Sequence, residues 1–120
     1  MCSSDLRFVL ERLPRDFFHA SHGQPSKTIS VLDLGSGPGT QLLTLLHFLA
    51  ETWPEPSETA QGTARPSLTL DYRAVDHSAK ALSQLEQLAK KAREAGLLPE
   101  GLTVKLSTSR VELQIGRAHV

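Results

Sequence analysis

The stretch VLDLGSGPGT, residues 31–40, decides the fold and the kind of site to look for. A short apolar run carries Asp33, and three glycines then follow at alternate positions, Gly35, Gly37 and Gly39. Glycine is favoured where the backbone takes a positive φ or where a side chain would collide with a ligand. A leucine-rich segment with helical periodicity comes next. The order of strand, glycine loop and helix predicts a small-ligand site at the turn.

The helix after the loop gives a second reason to expect a ligand. Its first N–H groups have no partner within the helix and carry the positive end of the helix dipole. Both features favour an anionic group, such as a carboxylate or a phosphate, beside residues 35–39, which include Ser36. Two plainer alternatives remain at this point: a tight turn without a ligand, and Asp33 as a structural anchor for the loop.

The spacing of the glycines separates the candidate ligands. The dinucleotide fingerprint GxGxxG, counted from Gly35, requires a third glycine at position 40, where Thr40 stands. A phosphate-binding P-loop requires a Gly-Lys-Ser/Thr ending, and no lysine follows these glycines. The remaining pattern is an acid two residues before the first of three alternate glycines.

Hydrophobic periodicity predicts alternating helices and strands around the loop. The predicted elements are a helix over 6–18 ended or kinked by Pro14, a strand over 29–34, a helix over 39–53, a strand over 68–76, a helix from 79 to about 95 and a strand over 102–106. Ser78 can cap the last helix and Gly96 can end it. Alternation of this kind indicates an α/β fold with a parallel sheet built from βαβ units.

Burial patterns and loops can also be predicted. The first strand is almost continuously apolar, which is typical of a central strand buried on both faces. The strand over 68–76 alternates, so we expect it to be less buried, and the strand over 102–106 suits a sheet edge. Residues 53–67 contain three prolines and few apolar residues, which predicts a surface loop inserted into the fold.

Composition narrows the function classes. The chain has 120 residues, enough for about one domain, and its 13 basic residues balance 13 acidic ones. No charge run indicates binding to nucleic acid or to an anionic membrane. The longest apolar stretches, such as 42–50, are far shorter than the roughly 20 residues that cross a bilayer, so we expect a soluble protein. The single cysteine, Cys2, excludes an internal disulfide and a cysteine-rich metal site, and no metal site is expected.

The two ends of the chain have an unusual property at the DNA level. MCSSDL at the start and QIGRAHV at the end can be encoded by strings that are reverse complements over most of their length. Both strings resemble a common sequencing-library adapter, and coincidence is the alternative. We therefore expect residues 1–6 and 114–120 to be translated adapter and 7–113 to be natural protein. In that case no targeting signal can be read, and a cytoplasmic location is only the default expectation.

The pattern VLDLGSGPGT closely resembles the first motif of the class I S-adenosylmethionine-dependent methyltransferases. A second element, YRAVDHS at residues 72–78, is similar to the family's next strand, which ends in an acid. The resemblance runs from the lead-in helix to the third strand. It implies a Rossmann-like parallel sheet flanked by helices, with the first three of the family's seven strands present in this chain.

The resemblance also implies roles for individual residues. The loop glycines and Ser36 would lie against the amino-acid end of S-adenosylmethionine, and Asp33 would orient the loop and bind the cofactor's amino group. Asp76 would accept hydrogen bonds from both ribose hydroxyls, although it could instead be a helix-capping acid. His77 would lie near the adenine by position only. No acid stands at residues 107–109, where the family often has a polar contact to the adenine.

The spacing between the two motifs is long, and the insertion accounts for it. Asp76 follows Gly39 by 37 positions, against about 20 expected between such a loop and its acid. Removing the 15 residues 53–67 leaves 22, because 37 minus 15 is 22. A surface insertion costs little free energy and need not disturb a site.

The resemblance implies transfer of the sulfonium methyl to a nucleophile. In the family the acceptor pocket and any general base come from the fourth strand onward, so neither the catalytic residues nor the methyl acceptor can be assigned from this chain. Two alternatives stay open: a noncatalytic relative that serves in assembly or scaffolding, and a dinucleotide-dependent oxidoreductase, which Thr40 disfavours.

Overall fold

The fold was described from a computed structural model, which covers residues 3–14, 17–18, 27–59 and 62–111. The elements in chain order are α1 (Ser3–Leu10), β1 (Lys27–Leu34), α2 (Thr40–Glu51), β2 (Ser57–Thr59), β3 (Gly62–Ala64), β4 (Leu68–Asp76), α3 (Ala79–Glu94) and β5 (Leu102–Arg110). This order confirms the predicted alternation of helices and strands, with a small hairpin added between α2 and β4.

The main sheet contains β1, β4 and β5 in the order β1-β4-β5, and both pairings are parallel. The predicted α/β class, a parallel sheet flanked by helices, is confirmed. Leu34 at the end of β1 lies beside Val75, and Asp76 at the end of β4 lies beside Arg110. The carboxyl ends of the three strands therefore meet at one edge, which is where open α/β sheets bind ligands.

The core lies on one face of this sheet. The apolar stripe of α2 and the apolar face of α3 pack with alternate residues of β4 and β5 in a single buried cluster. Its members are Leu10, Phe18, Leu42, Leu45, Leu46, Phe48, Leu49, Leu68, Leu70, Tyr72, Ala74, Leu82, Leu85, Ala89, Ala92, Leu102 and Val104. Full burial of one such leucine contributes roughly 1.5–3 kcal/mol, so this face supplies most of the fold's stability.

Two burial predictions are wrong. Within the described chain β1 is an edge strand that pairs only with β4, and Leu32 and Leu34 on its second face are 60% and 72% exposed. The central and more buried strand is β4, whose alternation arises because Asp71 and Arg73 lie on the uncovered face. An apolar run shows that both faces of a strand can be buried. Whether they are buried depends on which helices or strands pack against them. The prediction that β5 lies at the sheet edge is confirmed, although β5 continues to Arg110.

The connecting segments also differ from expectation. Residues 53–67 contain the antiparallel hairpin of β2 and β3, which the proline-rich composition did not predict. Helix α1 ends at Leu10, earlier than the predicted span to residue 18, of which 15–16 lie outside the described residues. It packs on α2. Arg7 of α1 forms one ion pair with Glu11, just after its own helix, and another with Glu51 at the end of α2. No helix in the described ranges is long and apolar enough to span a membrane.

Candidate functional site

The loop after β1 is built on three glycines with positive φ: 71° at Gly35, 59° at Gly37 and 106° at Gly39. Residues with a side chain rarely adopt these angles, so the backbone path itself requires glycine. The space around the glycines differs. A Cβ added at Gly35 or Gly37 would meet nothing within 4 Å, whereas one at Gly39 would lie 2.9 Å from Leu88 Cδ2. The first two glycines therefore border open space, and Gly39 allows close packing on α3.

The loop is anchored to the end of β4. The N–H groups of Gly35 and Ser36 both donate to the Val75 carbonyl, at 2.7 and 3.1 Å. One residue on, the Gly37 N–H donates to Asp76 Oδ2 at 2.6 Å. These bonds join the two sequence motifs across 39 residues of chain. The structure therefore brings together the glycine loop and the acid that the sequence analysis placed at one site.

Asp76 is the most constrained of the predicted site residues. It is 8% exposed, and its second oxygen, Oδ1, accepts from the Ser78 N–H at 3.0 Å. The N–H groups of Ser78 and Gly37 lower the pKa of the Asp76 carboxyl, so it is ionised at neutral pH. An ionised carboxylate has about four acceptor positions, so Asp76 retains acceptor capacity beyond these two bonds for a ligand hydroxyl.

The contacts of Ser78 distinguish the two roles predicted for Asp76, ligand binding and helix capping. The Ser78 side chain accepts from the Ala81 N–H at 3.1 Å and caps α3, as predicted. Asp76 instead joins the glycine loop to the start of the turn that leads into the helix. A helix-capping role therefore belongs to Ser78, which leaves the Asp76 carboxylate as a bridge at the sheet edge.

Asp33 has a different partner. It is partly buried near the end of β1, and the hydroxyl of Tyr72 on β4 donates to its Oδ2. Burial, together with this hydrogen bond, raises the pKa of Tyr72, which therefore stays protonated at neutral pH. Of the two predicted site carboxylates, Asp76 accepts from the loop backbone, at the Gly37 N–H. Sequence reasoning missed Tyr72 because the pairing register of the strands determines which side chains meet.

Ser36 lies in the loop, four residues before the first residue of α2. Ser36 is 4% exposed, and its buried Oγ has no hydrogen-bond partner among the described residues. Gly39 at the helix N-cap provides no side-chain cap, and the first turn of α2 contains no acid. A buried hydroxyl without a partner, in the loop that leads into an uncapped helix N-terminus, fits the binding of an anionic group.

His77 lies at the rim of the site. Its Nδ1 is 3.3 Å from Asp76 Oδ1, while most of its side chain is exposed. Arg110 at the end of β5 donates from Nε to the His77 carbonyl at 3.2 Å, a contact that the sequence did not predict. Within the described ranges, no cluster of three or more His, Cys, Asp or Glu side chains could hold a metal ion.

Comparisons with known proteins give a similarity to a solved structure. No protein-family model matches the sequence, and no curated protein matches it. Among solved structures, the chain is similar to the crystal structure of an S-adenosylmethionine-dependent methyltransferase from Clostridium acetobutylicum ATCC 824, with 20% identity and a TM-score of 0.40. The match covers 93% of this chain and 31% of that one. The interpretation of the site therefore depends on its own geometry.

Proposed function

We propose that this chain is the cofactor-binding part of a class I S-adenosylmethionine-dependent methyltransferase. The observation that carries the proposal is the meeting of the two motif positions, Gly37 and Asp76, through a 2.6 Å hydrogen bond at the carboxyl edge of the sheet. A turn without a ligand would not need the ionised carboxylate of Asp76 beside open space at two glycines.

The charges of the site match the chemical groups of this ligand. S-adenosylmethionine has a carboxylate, an ammonium group and a ribose diol, and it supplies an electrophilic methyl group on its sulfonium when bound. The uncapped start of α2 and the Ser36 hydroxyl suit the carboxylate. Asp33 suits the ammonium, and Asp76 suits two neighbouring hydroxyls. His77 at the rim would lie near the adenine.

The packing of the loop also favours this ligand over a dinucleotide. In the dinucleotide fingerprint the third glycine provides close packing between helix and strand. In this chain Thr40, the first residue of α2, stands where that glycine would be, and the nearest atoms to a Cβ at Gly39 belong to Leu85 and Leu88 of helix α3. The spacing between the glycines is therefore one residue shorter than a dinucleotide loop requires.

The chain's own contribution is to bind and orient the methyl donor. Alignment of two reactants can supply much of the rate acceleration of such a transfer. We assign no catalytic base and no methyl acceptor, because the family forms those sites from its later strands. The chain spans 31% of the length of the solved structure that it matches, so the activity of a whole protein remains part of the proposal.

The test is a titration of the chain with S-adenosylmethionine and, separately, with NAD by isothermal calorimetry. We expect S-adenosylmethionine to bind and NAD to bind much more weakly or not at all. Asp76→Asn should weaken binding about tenfold or more, because it removes charge-assisted hydrogen bonds. Asp71→Asn is the matched control, since Asp71 lies exposed on the same strand. A preference for NAD would overturn the proposal.

The origin of the chain ends is a second, separate proposal. We propose that residues 1–6 and 114–120 are translated adapter sequence. Residues 114–120 lie outside the described residues, and Ser3 to Leu6 form the first half of α1. Sequencing the gene from independently amplified DNA tests this proposal, and a natural codon context continuing through both segments would contradict it.

A further inference from the structure

The contact between Tyr72 and Asp33 assigns a role to a residue outside both motifs. We propose that Tyr72 is a positioning residue that holds the Asp33 carboxylate ready for the ligand's ammonium group. It would thereby make the site selective for adenosyl compounds that keep an amino-acid end. The inference builds on the proposed function and adds a determinant of specificity to it.

The strand register explains how the two side chains meet. Val31 on β1 lies beside Tyr72 on β4, and Asp33 lies beside Ala74. Tyr72 and Asp33 are therefore diagonal neighbours on the same face of this parallel pair, and the Tyr72 hydroxyl spans the separation to Asp33 Oδ2. Ala74 has only a methyl group, which leaves room for the phenol to reach the carboxylate.

Burial explains why the hydroxyl matters. Tyr72 is 2% exposed and belongs to the apolar core, where phenylalanine would pack equally well. A buried hydroxyl costs free energy unless it has a hydrogen-bond partner, and Asp33 Oδ2 is that partner. The one feature that tyrosine adds to this position is therefore a donor directed at the carboxylate.

The hydrogen bond restricts the orientation of the Asp33 side chain. A carboxylate with a fixed orientation loses less conformational freedom when it binds a cation than one that rotates freely. Because Tyr72 engages Oδ2, Oδ1 is the atom that we assign to the ammonium. Asp33 lies two residues before Gly35, so a ligand against the loop would be within reach of this carboxylate.

The test compares two ligands that differ at the amino-acid end. S-adenosylmethionine has that end, and 5′-methylthioadenosine shares the adenosine and sulfur but lacks it. In calorimetric titrations, Tyr72→Phe should weaken S-adenosylmethionine binding about tenfold and leave 5′-methylthioadenosine binding nearly unchanged. Asp33→Asn should behave in the same way, and the double variant should be no weaker than Asp33→Asn alone. Asp71→Asn should change neither affinity.

A second measurement needs no ligand. Tyr72 is the single tyrosine in the chain, so the ultraviolet absorbance of phenolate reports on it alone. Asp33→Asn should shift the phenol titration to lower pH, because it removes the carboxylate that opposes ionisation. The same variant would leave the titration unmoved if the two side chains did not interact.

The possible outcomes separate this inference from the proposed function. Equal loss of both ligands in Tyr72→Phe would show a merely structural tyrosine and overturn the inference, as would unchanged affinity for S-adenosylmethionine. Wild-type chain that binds neither ligand would overturn the proposed function and this role for Tyr72 with it. A phenol titration insensitive to Asp33→Asn would overturn the inference even if both ligands bind.

Discussion

The two faces of the three-stranded sheet contrast sharply although the same strands form both. The covered face carries the buried core and also Asp33, Tyr72 and Asp76. The uncovered face exposes Leu32, Leu34 and Arg73. Packing restricts side-chain motion, so a site that needs fixed carboxylates benefits from sharing a face with the core. The contrast shows that stability and the candidate site depend on the same set of contacts.

The largest expected difference between the faces is in stability. Leu85→Ala in α3, the helix that packs on the covered face, should lower the free energy of unfolding by about 2–5 kcal/mol, because Leu85 is fully buried and its truncation leaves a cavity. Leu32→Ala on the uncovered face should change it by less than about 0.5 kcal/mol. Urea denaturation measures both values. Equal losses would mean that the second face is covered in solution.

The glycine loop permits a finer test of packing. Gly39→Ala should cost about 2–4 kcal/mol, because it combines positive-φ strain with a Cβ 2.9 Å from Leu88 Cδ2. Gly35→Ala meets open space and should cost about 1–2 kcal/mol for the backbone alone. Urea denaturation of the two variants would contradict the described loop if Gly35→Ala proved the more damaging.

Alkaline pH should lower the free energy of unfolding, because Tyr72 on the covered face stays protonated in the folded chain. The pKa of Tyr72 is raised in the folded chain, whereas in the unfolded chain it is about 10. Above about pH 10 the unfolded state loses the proton and the folded state keeps it. The stabilisation is complete below that pH and falls by up to about 1.4 kcal/mol per pH unit above it. Thermal denaturation should show a smaller alkaline loss in Tyr72→Phe, and identical profiles would contradict burial of the phenol.

Substitutions on the uncovered face should have the smallest effect on stability. They should instead change self-association. The exposed leucines lie beside the edge of β1 that has no strand partner among the described residues, and they should cause the chain to self-associate. Replacing Leu32 and Leu34 together with serine should leave the unfolding free energy nearly unchanged and reduce association in sedimentation experiments. Monomeric wild-type chain with a cooperative thermal transition would contradict the expected self-association.

The features that depend on local chemistry could be predicted from the sequence. Alternate glycines demanded positive φ, and the alternation of strands and helices brought Asp76 to the same sheet edge as the loop. Ser78 was recognised as a cap from its residue type and place. The glycine conformations and the cap depend on residues close in sequence, and the meeting of Asp76 with the loop follows from the order of the strands and helices.

The features that depend on distant contacts could not be predicted. The Tyr72–Asp33 hydrogen bond requires the β1–β4 register, which no local pattern specifies. The greater burial of β4 depends on its pairing with strands on both sides and on the helices that cover one face, and an apolar pattern reports neither. The β2–β3 hairpin forms within a segment whose prolines suggested a plain loop.

The most direct test of the central claim is an NMR titration of the amide groups with S-adenosylmethionine. The amides of Gly35 and Gly37 should shift on saturation, because these two glycines border the open space of the proposed site. Gly101 is the internal control, since its carbonyl accepts from Leu68 at the amino end of β4. Shifts confined to the loop glycines and their neighbours are the predicted result. Unchanged loop amides at saturating ligand, or shifts centred on Gly101, would contradict the account.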